Sequence, residues 1–238
     1  KLAELGHDIF ALIKKKPYGD DKSFFKHYSI KTISYDLKNF KVNRLPSEID
    51  TIFTLAQHSD FRDFPSEAVS TFQVNTSANL SILKWAVEKK VKRFIHASSG
   101  GIYGGKKEKV LVETDSLNVD RQLGFYLSSK LCSEILFQNF FDFFESSIIL
   151  RPFFIYGPGQ KSDMFIARLI RSIEESRGIE LKGRNGLKVN PIFVDDAVDA
   201  FASSLDLIGN HTINLAGPDI LSLKEIVELL GRLLGKKP

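Results

Sequence analysis

Short apolar runs rich in β-branched and aromatic residues alternate along this chain with longer segments whose apolar positions recur every three or four residues. The runs at 7–13 (HDIFALI), 30–35, 50–56 (DTIFTLA), 91–97 (VKRFIHA) and 147–156 (SIILRPFFIY) predict strands. Helical spacing places Val69, Phe72, Leu80, Leu83 and Val87 near one face of a long helix over 66–89, and predicts a second long helix over 125–145. Strands alternating with helices imply right-handed crossovers, and so a doubly wound parallel sheet with helices on both faces, a Rossmann-like α/β fold. Ligands of such sheets bind beyond the carboxyl ends of the strands. Here those ends follow Ala56, Ala97 and Arg151.

Beyond Tyr156 the texture changes. Gly157-Pro158-Gly159 and the GRNG at 183–186 read as turns, and 165–175, 195–207 and 222–234 as helices. Ser222 and Glu225 have the spacing of a capping box at the start of the last helix. Residues 211–216 read as the sheet's final strand. The expected organisation is a dinucleotide-binding domain over 1–156, followed by a smaller substrate lobe over 157–238 interleaved with the last sheet elements. Residues 1–5 read as the last turns of a helix stopped at Gly6, and 233–238 stop where another element is expected. The chain therefore reads as trimmed at both ends.

Composition narrows the class. A length of 238 residues supports one sizeable core with a small appended lobe, and 43% hydrophobic against 26% charged residues is ordinary for a globular chain. The 33 basic and 29 acidic residues leave a net charge of +4, too slight and scattered for a nucleic-acid surface. A single cysteine, Cys132, excludes an internal disulfide and fits a reducing compartment. The five histidines lie too far apart for metal-ligand spacing. No apolar stretch reaches the roughly 20 residues of a membrane span. The expectation is a soluble, cytoplasmic protein with no nucleic-acid or membrane partner.

Tyr126 and Lys130 stand four residues apart, on one face of the second long helix. A nearby ammonium favours a phenolate, so Lys130 is expected to lower the pKa of Tyr126 and make it a proton-transfer group. Strand 91–97 ends in Ser98-Ser99-Gly100-Gly101-Ile102-Tyr103-Gly104. A hydroxyl at a strand's carboxyl end, followed by glycines that admit a ligand, suits the polarising of a substrate oxygen. The same residues also make an ordinary turn. Blander readings serve elsewhere: Trp85 and Cys132 as packing, Asp195 and Asp196 as a helix start, and Lys14, Lys15 and Lys16 as a solvated loop. Phe137, Phe140, Phe141, Phe143 and Phe144 are too widely spread for one helical face, which predicts a helix buried on two sides.

Taken together, IHASSGGIYG, YLSSK, ILRPFFIYGPG and NPIFVDDAV, with DTIFTLAQ upstream, resemble the epimerase/dehydratase branch of the extended short-chain dehydrogenase/reductases. The resemblance runs from Lys1 to Pro238. It implies catalytic roles for Ser99, Tyr126 and Lys130, with Lys130 also binding the nicotinamide ribose. It further implies cofactor contacts from Lys14, Asp36, Leu37, Leu55, Ala56, Gln57, Asn75, Ala97, Ser98, Pro152 and Phe153, and a homodimer paired through the two long helices. The family's first strand and glycine-rich phosphate loop would precede Lys1. Ile13 stands where an acid would hold a ribose 2′-hydroxyl, and the lysines that follow it suit a 2′-phosphate, so NADP is expected ahead of NAD. Gly100 and Gly101 replace the acidic pair that 4,6-dehydratases of the family use, so dehydration is not expected. Phe154 and Val189 replace an asparagine and an arginine common on the sugar-nucleotide side. The activity implied is oxidoreduction or epimerisation of an alcohol or ketone, on a nucleotide sugar or related small molecule. Reduction of a small steroid- or flavonoid-like ketone or aldehyde is the rival activity. A non-catalytic NADP sensor or scaffold is the rival from outside enzymology.

Overall fold

A computed structural model describes residues 1–15, 20–104, 110–119 and 124–237. The elements in chain order are β1 (Phe10–Ile13), α1 (Asp20–His27), β2 (Lys31–Ser34), β3 (Thr51–Thr54), α2 (Ala68–Phe72), α3 (Ala78–Glu88), β4 (Arg93–Ala97), α4 (Gly124–Gln138), β5 (Ser146–Pro152), β6 (Phe154–Tyr156), α5 (Phe165–Glu174), β7 (Lys188–Val189), β8 (Pro191–Phe193), α6 (Val194–Ser203), β9 (Gly209–Leu215), β10 (Leu221–Ser222) and α7 (Leu223–Leu234). They form two compact units. The first comprises Lys1–Arg151 with Phe201–Ile213, and the second Pro152–Ala200 with Asn214–Pro238.

In the first unit β3 pairs parallel with β4 and β4 with β5, within a sheet of order β3-β4-β5-β9. β1 and β2 form a further parallel pair. The alternation of side chains along β4 and β5 explains why the sheet is covered twice. Phe94 and Ile149 pack with Ile82, Leu83, Trp85 and Phe137 on one side. Ile95, Ile148 and Leu150 pack with Phe53, Phe201 and Leu207 on the other. The doubly wound parallel sheet is thus present. At the start of the chain, the N–H groups of Gly6 and His7 bond to the carbonyls of Ala3 and Leu2, and Gly6 sits at φ 87°, the left-handed cap expected there.

Two predicted elements end early. The helix expected over 125–145 stops at Gln138, where the Phe140 N–H turns back onto Phe137 O and Asn139 Nδ2 onto Ile135 O. A 3₁₀ turn, Phe141–Phe143, follows. Phe137 and Phe144 therefore meet the same ring, Phe94, at 4.9 and 5.4 Å. The phenylalanines are not two faces of one helix but a folded-back segment, of which Phe143 alone is strongly exposed. The strand expected over 147–156 divides into β5 and β6 at Phe153, whose N–H bonds to Leu215 O.

In the second unit β6 pairs parallel with β8, and β7 antiparallel with β10. Leu169 and Ile173 of α5, Val189, and Ile226 and Val227 of α7 form its core. The capping box at Ser222 and Glu225 is formed, and Gly235 ends α7 in the left-handed conformation. Among the described residues no helix is long and apolar enough to cross a membrane. No group of three or more described His, Cys, Asp or Glu side chains could hold a metal ion.

Candidate active site

Three elements of the first unit converge at the carboxyl ends of β3 and β4. The chain leaves β4 through Ser98 and Ser99 into a 3₁₀ turn, Gly100–Tyr103, whose Gly101 N–H is capped by Ser99 Oγ at 3.2 Å. Gly104 closes the turn at φ 70°, where a Cβ would lie 2.5 Å from Asn118 O. Helix α4 brings Tyr126 and Lys130 to the same place. The Tyr126 hydroxyl is hydrogen-bonded to Ser99 and donates to Gln57 Oε1 at 2.7 Å. Lys130 is fully buried, and its ammonium donates to Ala97 O at 2.7 Å.

The electrostatics correct one expectation. Burial pushes the Tyr126 phenol up to about 12, against smaller opposite effects of Arg62 and the Ser99 hydrogen bond. The cation acting on the phenol is Arg62, while the Lys130 ammonium donates to the Ala97 carbonyl. Burial also brings Lys130 down to about 8, which leaves it an ammonium at neutral pH. Beneath it, His96 Nδ1 bonds to Thr54 Oγ1 at 2.8 Å, and burial, then the Lys130 charge, hold that imidazole neutral with a pKa of about 3.

A π-helical turn, Gln73–Ser77, joins α2 to α3 and carries Asn75. Such a turn frees a backbone carbonyl, and Asn79 Nδ2 takes it, bonding to Asn75 O at 2.8 Å. The Asn75 side chain is fully buried: Oδ1 accepts from the His58 N–H and Nδ2 donates to Ser129 Oγ, both at 2.9 Å. Asn75 is thus next to the site with both polar ends already used. Leu55, Ala56 and Gln57 form an exposed segment after β3. Asp36 is exposed and caps a 3₁₀ turn through the Lys38 N–H, with Leu37 half-buried beside it. Lys14 follows β1 and is exposed, whereas Lys16 lies outside the described residues. Ser98 Oγ is buried without a hydrogen-bond partner. Pro152 and Phe153 belong to the second unit.

Several participants have no counterpart in the sequence pattern. Phe61 packs its ring on Tyr126 at 4.3 Å, and the Arg62 guanidinium lies over Phe61 at 4.6 Å. His58 is buried against Glu67, with Nε2 2.8 Å from Oε2. These residues sit in an irregular segment, 55–67, where no periodicity announces a contact.

The sequence matches the NAD dependent epimerase/dehydratase family over residues 1–216. The chain belongs to that family. It is 29% identical over 218 residues to the UDP-glucuronate 4-epimerase of Thermodesulfobacterium geofontis, covering 90% of this chain and 65% of that protein. It thus spans a little under two thirds of that relative's length. MoeE5, solved with UDP-glucose and NAD, superposes with a TM-score of 0.83 at 28% identity, over 100% of this chain and 77% of MoeE5. The UDP-glucuronic acid 4-epimerase of Bacillus cereus shares the fold, with a TM-score of 0.83 at 22% identity over 99% of this chain and 78% of that one.

Proposed function

We propose that the protein is an NAD(P)-dependent oxidoreductase or epimerase acting on an alcohol or ketone of a nucleotide sugar. The observation that carries this reading is the Tyr126 hydroxyl, joined to Ser99 beside the buried Lys130 ammonium at the carboxyl end of a parallel sheet. The names of the relatives, UDP-glucuronate 4-epimerase above all, support the nucleotide-sugar class. A bound nicotinamide cofactor would supply the hydride chemistry for such a reaction. Tyr126 gives its proton to a carbonyl oxygen being reduced, and takes it from a hydroxyl being oxidised. Ser99 holds that oxygen, and Lys130 supplies positive charge behind it.

The donor set suits a dinucleotide. The orphaned Ser98 hydroxyl and the exposed segment 55–57 lie at strand ends, where such a ligand binds. Asn75 then acts by positioning the segment after β3. At the ribose 2′-position, Lys14 and Lys15 follow β1 with no acid beside Ile13, which supports a 2′-phosphate, whereas the 28%-identical MoeE5 was solved with NAD. The residues of this chain outweigh a neighbour's ligand. One experiment addresses both points: calorimetric titration of the purified protein with NADP(H) and NAD(H), then assay of UDP-sugars with the tighter cofactor. Tighter binding of NADP(H), and turnover of at least one UDP-sugar, are expected. Equal or reversed affinities remove the 2′-phosphate. Turnover confined to a panel of small ketones and aldehydes would favour the rival reductase, a reading supported by Phe154, which stands where the family resemblance has an asparagine and packs on Phe165 at 5.6 Å.

A homodimer completes the proposal. Its support is not the phenylalanine run, which folds onto its own core, but a stripe along the helical stretch 68–88. Val69, Phe72 and Leu80 are exposed there at helical spacing, and Ile135 is exposed on the adjoining α4. Light scattering should report a dimer that Leu80→Glu and Ile135→Glu disrupt. A concentration-independent monomer would remove the dimer from the proposal.

A further inference from the structure

Gln57, so far only a candidate cofactor contact, has no role in the proton transfer just described, yet its amide oxygen holds the hydroxyl proton of Tyr126. The backbone on both sides of it is fixed. Thr54, the last residue of β3, is tied to His96 of β4, and His58 is held by Asn75 through its N–H and by Glu67 through its ring. The Gln57 residue itself is exposed and reaches Tyr126 from 69 positions away in the chain. A pinned backbone carrying a polar, exposed side chain is suited to one movement, the swing of that side chain.

The bond has a direction that matters. A phenol has one proton to donate, and Gln57 Oε1 takes it. A substrate carbonyl awaiting that proton cannot share it with the amide. The amide oxygen also offers nothing to a phenolate, so the contact as found favours the neutral phenol. We infer that Gln57 is a positioning residue that caps Tyr126 in the free protein, holding the hydroxyl until the reacting oxygen of the substrate displaces it. This inference rests on the proposed role of Tyr126 in proton transfer.

The other polar groups around the phenol leave this role to Gln57. Arg62, from the same segment, is a cation stacked on Phe61, and can only donate. Lys130, one turn further along α4, donates to Ala97 O. The His58 and Glu67 side chains are bonded to each other, with Lys38 3.5 Å from the carboxylate. From the β4 side come the hydroxyl of Ser99 and, beneath Lys130, the neutral imidazole of His96.

The test reads the phenol without substrate or cofactor. Ultraviolet difference titration between pH 8 and 12 is run on the wild type, Gln57→Ala and Gln57→Glu, each against the same protein carrying Tyr126→Phe. The five other tyrosines then cancel from the six in the chain. Ionisation of Tyr126 is expected to begin about half to one pH unit lower in Gln57→Ala, and higher in Gln57→Glu, where a carboxylate opposes the phenolate. Coincident curves for all three overturn the inference. In the kinetic arm, removal of a competing hydrogen bond should lower KM for a turned-over UDP-sugar about two- to tenfold in Gln57→Ala. The pH profile of kcat/KM, which reports the free protein, should move while that of kcat stays. Equal losses of kcat and kcat/KM would instead overturn displacement by substrate. Coincident titration curves strike Gln57 alone, whereas full turnover in Tyr126→Phe strikes the reading of Tyr126 and the cap together.

Discussion

Tyr126→Phe is expected to lower turnover about 10²–10⁴-fold while leaving cofactor affinity close to that of the wild type, because general acid–base help of that size disappears with the hydroxyl. The ring and its packing on Phe61 remain, so stability should change little. Ser99→Ala should cost less, mostly in turnover, since it removes one of the contacts to the reacting oxygen and leaves the proton donor. Lys130→Met should weaken both turnover and cofactor binding, as it takes away a buried ammonium and the bond that ties α4 to the end of β4 at Ala97. The three losses should not add, because the groups act as a unit. Steady-state kinetics on a UDP-sugar substrate, with calorimetry for the cofactor, checks the set. Wild-type turnover in Tyr126→Phe would sink the mechanism and advance the sensor or scaffold reading. Burial, against the smaller effect of Arg62, leaves Tyr126 a phenol at neutral pH, so in the free protein it stands ready to give a proton to a carbonyl.

The second large effect is on stability. Arg151, at the end of β5, bonds through Nε and Nη2 to Glu134 of α4, and through Nη1 to the Tyr103 hydroxyl and to Glu113 O. Glu134 is wholly buried and Arg151 nearly so. Arg151→Met should therefore lower the unfolding free energy by about 3–5 kcal/mol, most of it from stranding the Glu134 carboxylate in a dry interior. Adding Glu134→Leu to that variant should recover the larger part, because two well-packed apolar side chains replace a paired charge at little net cost. Urea denaturation checks both. A single variant within about 1 kcal/mol of the wild type would show that water reaches Glu134. The network joins α4 to the turn that carries Ser99, so the single variant should also lose turnover. The exposed pairs Lys84–Glu88 and Lys224–Glu228 have no such leverage, since water and salt screen both partners.

What the amino-acid sequence determined by itself is local and periodic. Alternation along 91–97 sends Phe94 and Ile95 to opposite faces, so the doubly covered parallel sheet is legible in the order of the residues alone. Four-residue spacing obliges Tyr126 and Lys130 to share a helical face, and Ser222 with Glu225 obliges a cap, because helix geometry alone brings such residues together. The tertiary structure decided whatever depends on where the chain returns. Gln57 and Tyr126 lie 69 residues apart, and Thr54 and His96 42 apart, with nothing in either neighbourhood announcing the meeting. The end of α4 at Gln138 was hidden because phenylalanines suit a helix and a folded-back turn equally, and the choice was made by their common packing against Phe94. The direction of the Tyr126 shift was hidden for the same reason. Sequence spacing reports the distance to one cation, but desolvation sums over every neighbour the fold assembles, and here it outweighs the charges.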